Sequence, residues 1–168
     1  VFTTYMDDKN DVYQLDGKFR GKVNNLRFYD MEMRFGKSSL LAGDVSFRGL
    51  PVLDATLMNL NFVKSNVETA DLSPYFFEYQ NKVLKKFGRF KFQGNFIGFY
   101  NDFVTDGIFE TDLGYFETDV NLETIKNNYE GSIRAENFDL GTLIEQDDII
   151  GKIDMQGRIK GNGLALSR

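Results

Sequence analysis

Residues 92–103 read FQGNFIGFYNDF, and the alternation running through them decides the fold. Phe90, Phe92, Gly94, Phe96, Gly98 and Tyr100 fall on even positions; Arg89, Lys91, Gln93 and Asn95 fall on odd ones, until Ile97 and Phe99 break the rule. Strand side chains point alternately to two faces, so a period of two reads as a strand with one apolar and one polar side. The glycines stand on the apolar side rather than at turns. Glycine inside a strand weakens it locally, so its repeated use there points to a need for space or for a bend in the sheet.

The same spacing returns in Gly17-Lys18-Phe19-Arg20-Gly21 and Gly157-Arg158-Ile159-Lys160-Gly161, with a near copy in Gly131-Ser132-Ile133-Arg134-Ala135. Around these, Tyr13, Leu15 and Val23 share the face of Phe19, opposite Gln14, Asp16, Lys18, Arg20 and Lys22. Leu41, Gly43, Val45, Phe47 and Gly49 alternate with Ala42, Asp44, Ser46 and Arg48, and Ile153, Met155 and Ile159 with Lys152, Asp154, Gln156 and Arg158. Further strands are predicted over 26–35, 56–63, 103–113, 115–124 and 129–136, separated by turn signals at Gly36-Lys37, Gly49-Leu50-Pro51, Asn101-Asp102, Gly114 and Asn127-Asn128. This rhythm predicts a mainly all-β chain, an antiparallel meander with a strongly curved, groove-like sheet.

One segment departs from it. Ser73-Pro74 is an N-cap followed by an N1 proline, and Phe76, Tyr79, Val83 and Phe87 follow at helical spacing. Lys82, Lys85 and Lys86 suit the negative end of a helix dipole and Gly88 suits a C′ position, so an amphipathic helix is predicted over 74–87. A shorter helix is predicted near 139–146, capped by Asp139. Phe19-x-Gly21-x-x-Asn24-x-Leu26 aligns with Phe96-x-Gly98-x-x-Asn101-x-Phe103 at a constant offset of 77, which predicts sub-repeats of about 12–70 and 88–168 on either side of the helix.

The 168 residues are 42% apolar and 15% aromatic, with 17 Phe, 8 Tyr and no Trp, enough to form a buried core. A scattered net charge of −5 lacks the basic footprint of a nucleic-acid binder. No Cys and no His are present, which removes thiol nucleophiles, histidine bases and the common zinc and copper ligand sets. No apolar run reaches the ~20 residues of a membrane-spanning helix, and no signal peptide is visible. The chain starts at Val1 and reads as a piece of a longer protein.

Phe35-Gly36-Lys37-Ser38-Ser39 resembles the tail of a phosphate-binding loop, but Met31 stands where the first glycine belongs and a strand follows, so a hairpin turn is expected. Asp7-Asp8-Lys9-Asn10-Asp11 lacks the central Gly and the final Glu of a calcium loop and reads as a solvated turn. Glu110, Asp112, Glu117 and Asp119 fall on polar faces, where carboxylates are ordinary, and no glycosidase pair is assembled from them. No catalytic constellation emerges, and a non-enzymatic protein without cofactor or metal is expected. The aromatic face leaves three readings open: a closed core, an apolar ligand groove, or strands of a transmembrane barrel. The helix and the glycines on the would-be lipid face weigh against the barrel.

Asp16-Gly17-Lys18-Phe19-Arg20-Gly21-Lys22-Val23-Asn24-Asn25-Leu26, Met33-Arg34-Phe35-Gly36, Gly43-Asp44-Val45-Ser46-Phe47-Arg48-Gly49-Leu50-Pro51, Phe92-Gln93-Gly94-Asn95-Phe96-Ile97-Gly98-Phe99 and Asn137-Phe138-Asp139-Leu140-Gly141 together resemble the TamB (translocation and assembly module subunit) family in its Bacteroidetes form. That family is similar to the AsmA-like, repeating β-groove proteins. The resemblance implies an inner-membrane-anchored cell-envelope protein whose periplasmic part is a long, taco-shaped sheet. It implies phospholipid transport between inner and outer membrane, or, as the alternative, a scaffold or chaperone for outer-membrane protein assembly by strand addition. Phospholipid acyl chains and an outer-membrane barrel partner are the implied partners. On this reading Phe19, Val45, Phe47, Phe90, Phe92, Phe96, Tyr100, Ile153, Met155 and Ile159 face lipid.

Overall fold

The computed structural model describes residues 13–75, 78–123, 125–126 and 128–162. They form one nine-stranded antiparallel sheet in which every strand pairs with its neighbours in sequence. The strands are β1 (Gln14–Lys22), β2 (Asn25–Phe35), β3 (Ser39–Arg48), β4 (Leu57–Glu68), β5 (Arg89–Phe99), β6 (Asp102–Thr111), β7 (Gly114–Glu123), β8 (Asn128–Asp139) and β9 (Lys152–Asn162). β1 and β9 do not meet, so the sheet is open. Three short helices, α1 (Thr69–Leu72), α2 (Glu78–Lys86) and α3 (Leu140–Ile144), all lie in connections at one end of the sheet. The opposite end carries the turns after β1, β3, β5 and β7.

The period of two holds because each row of the ladder joins like with like. One row runs Gly21, Leu26, Phe47, Met58, Gly98, Phe103, Leu122, Tyr129, Gly161, and the next runs Phe19, Phe28, Val45, Leu60, Phe96, Thr105, Val120, Gly131, Ile159. No charged residue occurs in either. A slip of one residue anywhere would turn a whole strand's apolar set to the polar side, so the pattern itself enforces the register.

Three bulges interrupt that register, and alternation gives no sign of them. β2, β4 and β8 each carry one extra residue, with Asp30, Lys64 and Asn137 at φ of 51°, 43° and 50°. Bulges of this kind bend the strand and raise local twist. Two are held in the same way: the Asp30 amide donates to the Asp44 carboxylate at 2.9 Å, and the Asn137 amide to the Asp154 carboxylate at 2.7 Å. At the third, the buried Ser65 hydroxyl accepts from the Ala42 amide at 3.0 Å.

The helical end is sealed. Backbone hydrogen bonds link Thr69 to Gly88, Asp112 to Phe87, and Asp139 to Leu113. Leu113, Ala135 and Phe138 are buried there, with Phe87, Phe116, Leu140, Leu143 and Met155 packed around them. Of the expected helix over 74–87, the described residues give a 3-10 turn at Ser73–Tyr75, after α1, and α2 over Glu78–Lys86. Pro74 lies in the 3-10 turn; Phe76 is outside the described residues. Gly88 does take the left-handed conformation at φ 61°, and its amide donates to the Lys85 carbonyl. Asp139 caps α3 as expected, its carboxylate accepting from the Thr142 amide at 3.0 Å.

The Phe35–Ser39 stretch is a hairpin turn. Its amides at Lys37 and Ser38 and the Ser39 hydroxyl all donate to the carboxylate of Asp71 in α1. An internal anion thus fills the place where a phosphate would sit. Burial pushes the Asp71 carboxyl up, but those hydrogen bonds outweigh it and hold the group below its ordinary value.

Candidate apolar face

Aromatic rings dominate the apolar side of the sheet. Toward the helical end, Phe62, Phe92, Phe109, Phe116 and Phe138 make a continuous chain across β4 to β8, with successive ring centroids 5.6, 5.8, 4.8 and 5.9 Å apart. Phe87 closes its end by packing on Phe90, Phe116 and Phe138. Such offset and tilted pairs add to simple area burial.

Toward the turn end the face changes character. Phe96 stacks on Phe103 at 4.3 Å, and Phe19 meets Phe28 at 5.9 Å. Leu26, Phe47, Met58, Phe103, Leu122 and Tyr129 are all only half-buried. Val45 and Val120 are buried, whereas Phe19 at the β1 edge is 69% exposed. In a two-layer core these rows would be covered; here each ring contact joins adjacent strands or involves Phe87, and the turn end is reached from outside the ladder by the 3-10 turn Leu53–Ala55, which touches β5. The face therefore has a sealed half and an uncovered half.

The ten expected lipid-facing residues divide along that line. Phe19, Phe47, Phe96 and Ile159 stand in the uncovered rows, and Val45 lies buried between them. Phe90, Phe92, Ile153 and Met155 sit toward the sealed half. Tyr100 is corrected: β5 ends at Phe99, and Tyr100 stands in the following turn, 49% exposed and outside the rows. The asparagine-aspartate turn signal one residue later marks the place where alternation stops. Leu60, Met58, Phe103, Leu122 and Tyr129 complete the rows; the same period of two, extended through the remaining strands, identifies them.

The other side of the sheet is mostly polar and laddered, with Tyr29, Ile97, Phe99 and Val104 exposed on it. Asn61 donates to Asn95 at 2.6 Å, and Asn95 donates to Asp106 at 3.0 Å. Its shallow depressions are lined by residues such as Gln93, Glu117 and Arg134. Tyr115 donates to Glu117, and this hydrogen bond to a carboxylate raises the phenol above its ordinary value. Glu110, Asp112 and Asp119 are exposed. Among the described residues, no group of three or more carboxylates is placed to hold a metal ion. No helix among them is long and apolar enough to cross a membrane. The Asp7–Asp11 stretch lies outside the described residues.

No family model, no curated protein and no solved structure matches this chain.

Proposed function

We propose that the chain is a non-enzymatic lipid-binding segment of the cell envelope, whose sheet curves into a groove and shelters phospholipid acyl chains as they pass between inner and outer membrane. One observation carries this reading: half of the apolar face is continuous over nine strands, and the ring contacts described there, Phe19 with Phe28 and Phe96 with Phe103, run only between neighbouring strands. An extended apolar surface of this kind marks a binding site for a protein, a membrane or an apolar ligand. Acyl chains suit it because the rows offer rings, branched aliphatics and glycines, with no charge and few hydrogen-bonding groups. Each sheltered methylene contributes about 0.8 kcal/mol, so a chain is held by length alone, without a specific polar contact. Similar rows on successive strands give sites of similar depth, which a moving chain needs. The sequence resemblance to the TamB family supports the same reading, with a periplasmic location in an inner-membrane-anchored protein.

The test is retention of a fluorescent phospholipid by the purified protein. Phe96→Asp and Phe47→Asp are expected to abolish retention while the β circular dichroism persists. Loss of the fold in both variants would identify a closed core and remove the proposal.

A further inference from the structure

On the polar side of the sheet the alternation fails near the turn end. Ile97 and Phe99 of β5 and Val104 of β6 are exposed there, with Ile97 directly opposite Val104. The connections beside them add exposed apolar side chains: Tyr100 after β5, and Val52 and Leu53 between β3 and β4. The 3-10 turn that holds Leu53 touches β5. The Gly49 amide donates to the Asn24 carbonyl at 3.0 Å and ties this connection to the β1–β2 turn, where Val23 is exposed. Exposed apolar residues are ordinary singly, but a contiguous group marks an interaction surface.

The rows that lead to this group carry cations. Nearest the turns, Lys22, Asn25, Arg48 and Leu57 stand in one row, and Arg20, Arg27, Ser46, Asn59, Ile97 and Val104 form the next. Arg20 directly faces Arg27, and like charges so placed are destabilising without a counter-charge. Among the described residues, Arg20, Lys22, Arg27 and Arg48 make no ion pair, although the chain as a whole has a net charge of −5. Arg27 and Arg48 belong to interior strands with a paired neighbour on each flank, so their lack of an acid does not depend on either edge of the sheet. Together with Asn25, Ser46 and Asn59 they line a depression of about 610 Å³. Two guanidiniums beside amide and hydroxyl donors suit a phosphate group. Of the acids nearby, Asp44 accepts from the Asp30 amide, Asp54 lies in the 3-10 turn, and Asp102 and Glu123 bound the patch beyond Phe99.

We propose that this corner of the polar side docks on the surface of an anionic phospholipid bilayer. Arg27 and Arg48, with Arg20 and Lys22, take headgroup phosphates, and Ile97, Phe99, Val104, Val52 and Leu53 enter the boundary between headgroups and acyl chains. Cations alone would suit a free anion equally well; the apolar group in the adjoining rows is what a bilayer interface accepts and an aqueous anion does not. Anionic leaflets attract lysine and arginine held near their surface. A soluble protein partner is an outcome of the test. The inference concerns the side of the sheet opposite the proposed acyl-chain rows and does not rest on them.

The experiment is flotation of the full chain with vesicles, made of phosphatidylcholine alone or of phosphatidylcholine mixed with phosphatidylglycerol. Binding is expected to the mixed vesicles, and to fall about tenfold or more when phosphatidylglycerol is left out or when salt is raised from about 0.1 M to about 1 M. Arg27→Ala and Arg48→Ala are each expected to weaken it about fivefold, and Ile97→Ser about tenfold. All three side chains are exposed, and an unchanged circular dichroism spectrum is expected for each variant. Arg134→Ala, on the same side toward the helical end, is expected to bind as the wild type does. Equal binding to both kinds of vesicle, indifference to Arg27→Ala, Arg48→Ala and Ile97→Ser, or an equal loss in Arg134→Ala would each overturn the proposal. Binding to neither kind would overturn it as well, and would leave the corner to a soluble partner.

Discussion

The Asp44 carboxylate, on β3, accepts a hydrogen bond from the main-chain amide of Asp30 at the bulge of β2, and Asp154 on β9 does the same for Asn137 on β8. In both cases a residue with positive φ is held by an aspartate from the next strand. The extra residue takes its own amide out of the regular ladder, and an unpaired main-chain donor is costly. Asp44→Ala and Asp154→Ala are each expected to cost about 1 kcal/mol, with hydrogen exchange accelerating at the bulge amide first. Asp44→Asn keeps an acceptor oxygen and is expected to restore most of the loss.

The glycines of the repeat are not interchangeable. Gly98 has φ of 148° and its Cβ would meet main-chain atoms of Asp102 and Phe103. Gly98→Ala is expected to destabilise the sheet by on the order of 2–4 kcal/mol. Gly157→Ala, in open space at the edge, is expected to be neutral or slightly stabilising. Thermal melts of the two variants check this directly: similar midpoints would mean that the close approach of β6 to β5 is not what selects glycine.

Asp71 ties α1 to the β2–β3 turn through three donors, from Lys37, Ser38 and Ser39. Its folded value lies below the ordinary 3.8, so the unfolded chain takes up the proton first. The stability it contributes is complete above that ordinary value and is lost as pH falls through the lower folded one. Asp71→Ala is expected to cost on the order of 2–3 kcal/mol at pH 7. The gap between variant and wild type is expected to narrow below about pH 4, as followed by urea unfolding at each pH.

Two lysines of α2 hold the end of α3. The Lys86 ammonium, mostly buried, donates to the Leu143 carbonyl at 2.8 Å and pairs with Glu145 at 2.9 Å, and Lys82 reaches the same carboxylate at 3.0 Å. Hydrogen bonds from Lys86 and Lys82 hold the Glu145 carboxyl below its ordinary range. Lys86→Met keeps the aliphatic stem but leaves the carbonyl without this donor, at an expected cost of roughly 1–3 kcal/mol. Lys82→Met, on the exposed arm, is expected to cost under about 1 kcal/mol. Limited proteolysis between α3 and β9 distinguishes them: faster cleavage is expected for Lys86→Met alone.

Alternation made the strands and their apolar face legible, because one face of each strand excludes charge from Leu15 to Gly161. Gly88 and Asp139 marked helix ends correctly, since their roles depend on local backbone conformation alone. The bulges at Asp30, Lys64 and Asn137 were not legible: none is a glycine, and each is fixed by contacts across strands. The split of the apolar face into sealed and uncovered halves follows from where Phe87 and Leu113 pack, which no single-strand pattern contains.

The central claim is tested most directly by a photocrosslinking residue placed at Phe96, on the uncovered face, and separately at Asn95, on the polar face, in protein incubated with phospholipid vesicles. Lipid adducts at position 96 and none at 95 are the predicted result. Adducts at neither position, or equally at both, would contradict an acyl-chain site on this face.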